Sequence, residues 1–143
     1  MAIANYTTTI EPAKTVGEIN EMLAQAGAKS IRVNYENREP VSIFFIVEVD
    51  LQLIPFRLPA SWEGVLKAMK QDESVRKYLC KEEQAKRVAW RIVRDWVRAQ
   101  LAFIEAHQAS MAQLFLPHMV REDGQTLYEV IEEKGFRAIA PGK

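Results

Sequence analysis

The stretch from Lys81 to about His107 reads as one long helix, and its lateral pattern constrains the fold more than any other part of the chain. At about 100° per residue, Arg87, Arg91, Arg94 and Arg98 fall on one stripe, spaced by four, three and four residues. The stripe fills a wedge of roughly 60°. Val88, Ile92, Trp96 and Phe103 lie on one flank of the remaining arc, and Trp90, Val93, Val97, Leu101 and Ile104 lie on the other. A helix apolar over so much of its circumference has to be packed on several sides. Its expected place is the centre of the domain, lying across a sheet. A longer alternative carries the helix to Leu116, where Pro117 closes it.

The sheet for that helix is encoded upstream. Lys29 to Glu36 alternates, with Ile31, Val33 and Tyr35 facing one way and Ser30, Arg32 and Asn34 the other, the pattern of a strand with one wet face. Asn37-Arg-Glu-Pro40 is a turn. Val41 to Val49 is apolar on both sides for most of its length, which suits a central strand. After a turn at Asp50, Leu51 to Leu58 forms a third strand, placed at a sheet edge by Pro55. Residues 4–10 are rich in β-formers and form either a fourth strand or an arm.

Helices bracket these strands. Thr15-Val-Gly-Glu18 has the form of a capping box, and the helix it opens stops at Gly27. Ser61 caps a helix through about Lys70, and Asp72 caps another through about Cys80. Asp123-Gly124 is a turn, and Thr126-Leu-Tyr-Glu129 is a second capping box, for a helix that ends at Gly135. The tail from Phe136 to Lys143 is expected to be irregular. The predicted fold is α+β: an N-terminal helix, a three- to four-stranded antiparallel sheet, then a long central helix with shorter C-terminal helices. Residues 1–143 are expected to form a single domain, with a strand and helix part over 1–60 and a helical part over 61–135.

The chain carries 19 basic and 19 acidic residues, a formal net charge of zero, which argues against a generic basic nucleic-acid binder. Lys86 to Arg98 holds five basic residues and one acid, Asp95, a net +4, so the remainder holds 14 basic and 18 acidic residues, a net −4. Such asymmetry steers an anionic partner toward one place. The single cysteine, Cys80, excludes an internal disulfide and suits a reducing compartment. The N-terminus lacks the pattern of a signal peptide, and no apolar run is long enough to span a membrane. A cytoplasmic protein with no membrane partner is expected.

The arginine stripe admits two readings. In one it is an exposed edge, its members paired with Glu83, Asp95 or Glu105. In the other, Arg87, Arg91, Arg94 and Arg98 grip phosphates or carboxylates in two-point fashion, with Arg57 or Lys86 nearby, and affinity depends on salt. Arg57 sits at the rim of an edge strand, where a salt bridge is the plain expectation and a ligand clamp the sharper one. Trp90 and Trp96 belong to the apolar arcs, so core packing is preferred over base stacking.

Other chemistries find little footing. His107 and His118 lie eleven residues apart, outside the spacings usual for metal ligands. Cys80 reads as a buried structural thiol. The glycines are dispersed, and Glu132 and Glu133 point in different directions, so they form no acid–base pair. A non-enzymatic protein without metal or cofactor is expected.

Several segments together carry a resemblance. They include Tyr6-Thr-Thr-Thr9, Ala26-Gly-Ala28, Pro55-Phe-Arg-Leu-Pro59, the run from Gln84 to Trp96, Phe115-Leu-Pro117 and Thr126-Leu-Tyr128. The chain resembles a family of small uncharacterised bacteriophage and prophage accessory proteins over nearly its whole length. The resemblance implies a setting rather than a mechanism: such proteins handle nucleic acid in phage replication or block a host defence. Three functions follow as expectations. The first is a binding protein that inhibits a bacterial defence, either by engaging a protein target or by sequestering a nucleotide-like anion. The second is a single-stranded nucleic-acid-binding or annealing factor, and the third a structural or assembly protein. Self-association into a homo-oligomer is expected from the exposed sheet edges and the wide apolar arc of the long helix.

Overall fold

The structure is a computed structural model and describes residues 2–138. Helix α1 spans Pro12–Gln25, strands β1, β2 and β3 span Ser30–Glu36, Glu39–Val49 and Gln52–Pro59, and helix α2 spans Trp62–Gln71. The long helix α3 runs Glu82–Glu105, followed by α4 over Met111–Phe115 and α5 over Leu127–Lys134. Short 3-10 turns occur at Lys77–Leu79, Leu116–His118 and Phe136–Ala138. The expected α+β order is present. Among the described residues no helix is long and apolar enough to cross a membrane.

The strands form a three-stranded antiparallel meander in the order β1-β2-β3. Both hairpins are closed by two residues at positive φ: Asn37 (50°) and Arg38 (68°), then Asp50 (50°) and Leu51 (65°). Paired left-handed residues give the turn whose twist matches the flanking strands. Phe45 stands opposite Ile31 on β1 and Phe56 on β3, so Ile43, Phe45, Val47, Phe56 and Leu58 form one buried face. Phe44 and Ile46 on the other face are only half-buried, so β2 is central but is fully buried on one side alone. Near the first turn Asn34 pairs with Ser42 but Tyr35 with Pro40, which leaves Val41 as an extra residue. Such a bulge bends the hairpin, and Tyr35 beyond it is exposed. Strand β3 is the outer strand that Pro55 predicts. Its free edge is partly met by the chain after α4: the Val120 amide donates to the Pro55 carbonyl (2.9 Å), and Phe56 bridges to Met119.

Residues 4–10 do not form a fourth strand. Residues 4–7 turn, with Asn5 at φ 63°, and the segment lies on α3 as an arm. The buried Gln84 amide pins it, donating to the carbonyls of Tyr6 (2.9 Å) and Thr8 (2.8 Å). Helix α1 starts at Pro12, one turn before the box at Thr15. Proline is pre-organised for a first helical position, and Thr15 is thereby carried inside the helix, where it is fully buried. Gly27 (φ 102°) ends α1 as expected, with Ala28 donating back to Leu23 and Gly27 to Ala24.

Asp72 does not start a helix. Its carboxylate accepts from the Ser74 amide and hydroxyl (2.9 and 2.5 Å), a local turn that competes with helix formation, and only Lys77–Leu79 coils further. Helix α3 stops at Glu105 rather than reaching Leu116. His107 takes φ 60°, and Gln108 donates back to Phe103 (2.9 Å). Ser110 and Gln113 then form a capping box for α4. The reversal drives Phe115 into the core, edge-on to Phe45, Phe56 and Trp96 at 5.9, 6.1 and 5.2 Å between ring centroids. The capping box at Thr126 and the helix end at Gly135 occur as predicted. Phe136–Ala138 coils into a 3-10 turn, and the rest of the tail lies outside the described residues.

Helix α3 is the centre of the molecule. Trp90 and Val97 join the sheet core together with Val16, Ile19 and Leu23 of α1. The Trp90 indole N–H is satisfied by the Pro40 carbonyl (3.3 Å). Ala85 and Val88, on another side, pack with Met69 of α2 and Val75.

Leu51 is 92% exposed at φ 65°, so its side chain gains nothing from packing and its backbone is strained. Leu51→Gly is expected to raise stability by about 0.5–1 kcal/mol in urea unfolding. A loss of stability would contradict this account of the turn.

Candidate functional site

Helix α1 lies along the arginine stripe, and the two helices run in the same direction. Glu11 lies beside Arg87, Thr15 and Glu18 beside Arg91 and Arg94, and Met22 and Ala26 beside Arg98 and Ala102. Arg87 engages one Glu11 oxygen through Nε and Nη2, both at 3.0 Å, and donates to Gln84 (3.1 Å). Arg91 donates to Glu18 at 2.5 Å and to the Thr15 hydroxyl at 3.4 Å. Arg94 reaches the other Glu18 oxygen at 3.5 Å and Asp95 at 3.2 Å. Its Nε is buried with no hydrogen-bond partner. Glu18 is therefore shared by two guanidinium groups.

Over Arg87, Arg91 and Arg94 the stripe is thus neither an open cationic face nor a solvated edge. Three guanidinium groups meet three carboxylates, and the Arg91 side chain keeps only 12% of its exposure. Of the acids expected as partners, Asp95 does pair, while the principal partners come from α1. Glu11 and Glu18 are seven residues apart, two turns, which puts them on one helix face. That acidic spacing was the available signal that α1 belongs on the stripe.

Arg98 differs from the other three. It is exposed, and among the described residues it has no ion pair. At its level α1 offers Met22, Gln25 and Ala26 in place of an acid. Together with Leu101, Ala102, Ile104 and Glu105 these residues line a groove of about 610 Å³.

Lys86 and Arg57 lie apart from the seam. Lys86 pairs with Glu39 and, at 3.4 Å, with Glu82, and it sits 5.3 Å above the Trp62 ring. The Glu39 carboxylate holds its ammonium above the ordinary lysine range. Arg57 donates to the Gly124 carbonyl (2.9 Å) and to Glu129 (2.6 Å), so it clasps the start of α5 to the sheet. Glu129 also accepts from the Thr126 amide, which, with Arg57, keeps its carboxyl below the usual value.

Another cavity, about 420 Å³, opens beside this clasp, between Arg57, Pro59, Pro117, His118, Tyr128 and Glu129. Its residues come from three distant segments, so no local spacing announced it. Burial holds the His118 imidazole below its ordinary pKa, and the ring packs edge-on against Trp96 at 5.4 Å. Cys80 is half-buried rather than buried, its thiol directed at the Arg76 carbonyl (3.8 Å).

Comparison with family models, with curated proteins and with solved structures returns no match, so the site is read from its own geometry. That geometry divides the arginines by role. Arg91→Gln, which leaves Glu18 with one partner fewer, is expected to cost about 1–3 kcal/mol. Arg98→Gln is expected to change stability by less than about 0.5 kcal/mol. Guanidinium unfolding of the two variants checks this, and equal effects would remove the distinction.

Proposed function

We propose that this chain is a non-enzymatic, phage-type accessory binding protein that acts in the host cytoplasm by occupying a surface of a defence protein, rather than by sequestering a nucleotide. The observation that carries this choice is the pairing of Arg87, Arg91 and Arg94 with Glu11, Glu18 and Asp95. A phosphate entering the seam would have to displace carboxylates already held at 2.5–3.5 Å. The displaced acids would then repel it at short range. Arginines engaged in this way have little left to offer an anionic ligand, and the zero net charge adds no long-range attraction.

The groove at the end of the seam has the character of a protein-binding surface. Met22, Leu101 and Ile104 supply apolar walls, and Arg98, which has no ion pair among the described residues, supplies a guanidinium. Apolar contact beside an available arginine is a recurrent composition of protein interfaces. The resemblance to small phage accessory proteins supplies the biological setting.

The assay is phage plating on a panel of host strains, each with one defence system, with and without the chain expressed. At least one strain is expected to lose protection, and Met22→Asp or Arg98→Glu is expected to restore it. Thermal shift with cyclic dinucleotides or a short oligonucleotide should move the melting temperature by less than about 1 °C. A rise of several degrees, no affected strain, or groove variants that behave as the parent would each contradict the reading.

A further inference from the structure

The groove carries a charge pattern complementary to itself. Arg98 and Glu105 both line it, from the same helix. They are seven residues apart, two turns, or about 10.5 Å along the axis. Both are exposed, and among the described residues neither has an ion pair. Exposed Ala102 lies between them along the helix.

A two-fold axis beside residues 101 and 102, perpendicular to α3, relates these features. An antiparallel second copy of α3 then sets its Glu105 against Arg98 and its Arg98 against Glu105. A parallel copy in register sets like charges together, which disfavours that arrangement. Ala102 at the axis lets the two backbones approach, and Met22 and Leu101 offer each copy an apolar wall. A closed two-fold contact requires one surface to be complementary to itself, and oppositely charged residues placed symmetrically about a small apolar centre meet that requirement.

We propose that the chain forms a homodimer through this groove, α3 against α3 in antiparallel fashion, held by two reciprocal Arg98–Glu105 pairs. The proposal rests on reading the groove as a protein-binding surface: a second copy of the chain occupies it in the free protein, and a defence protein binds there by displacing that copy. Three of the four stripe arginines find their carboxylates within the chain, and the fourth finds its own in the dimer.

The test is sedimentation equilibrium of the full chain over a wide concentration range, with the charge variants. The parent is expected to approach twice the 16.4 kDa chain mass. Arg98→Glu or Glu105→Arg alone, each creating like-charge contacts, should weaken association at least ~10-fold. The double exchange Arg98→Glu with Glu105→Arg should recover it, an outcome that a fold defect does not produce. Matching thermal melts confirm that each variant is folded. A parent that stays monomeric, single variants that dimerise as well as the parent, or a double exchange that fails to recover association would overturn the proposal. Failure here and failure of the functional reading are separable. A monomer whose Met22→Asp variant still loses activity in the plating assay removes the dimer alone. A charge-dependent dimer whose groove variants all keep that activity removes the functional reading alone.

Discussion

The guanidinium stripe of α3 can be covered only by something that brings carboxylates, because a desolvated arginine without an acceptor is costly. This requirement selects α1 and fixes its direction. Glu11 and Glu18 reach Arg87, Arg91 and Arg94 only if the two helices run the same way. Val16, Ile19 and Leu23 of α1 then enter the core beside Trp90 and Val97. The sheet, α2 and the N-terminal arm cover the remaining sides, each with its own match: indole to the Pro40 carbonyl, Val88 to Met69, and the Gln84 amide to the arm's backbone. Polar and apolar contacts thus act together. The ion pairs set the register of α1 on α3, and apolar burial, at about 25 cal/mol per Å², supplies most of the stabilisation.

Much of this was legible in the chain because the signals are local. Period-two alternation located β1, a long apolar run located β2, and Pro55 placed β3 at the edge. The box at Thr126 and the stop at Gly27 depend on interactions within a single turn, and both hold. The failures arise where two local signals compete or where the deciding partner is remote. Thr15-Val-Gly-Glu18 has the form of a cap, but Pro12 starts the helix earlier, and Thr15 and Glu18 serve Arg91 instead. Asp72 has the chemistry of a helix cap and spends it on Ser74. The β-formers of residues 4–10 lie against α3, where Gln84 takes their carbonyls.

The candidate site shows the same division. The stripe's geometry followed from helical spacing alone, whereas its meaning depended on which element lay across it. With α1 in place, the strong local positive charge is spent inside the fold. Arg57 and Lys86 are likewise engaged, with Glu129 and with Glu39 and Glu82, on other sides of the molecule. Within the stripe, and among the described residues, Arg98 alone lacks an ion pair, at the level where α1 offers no acid to the groove.

The central claim is that the stripe is an intrachain seam, and a double-mutant cycle between Arg91 and Glu18 tests it most directly. Denaturant unfolding of the parent, Arg91→Gln, Glu18→Gln and the double variant yields the coupling free energy of the pair. A coupling of about 1–2 kcal/mol is expected for a half-buried, charge-assisted contact. Additivity within about 0.3–0.5 kcal/mol would mean the two residues do not act on each other, and the stripe would stand again as a free cationic surface.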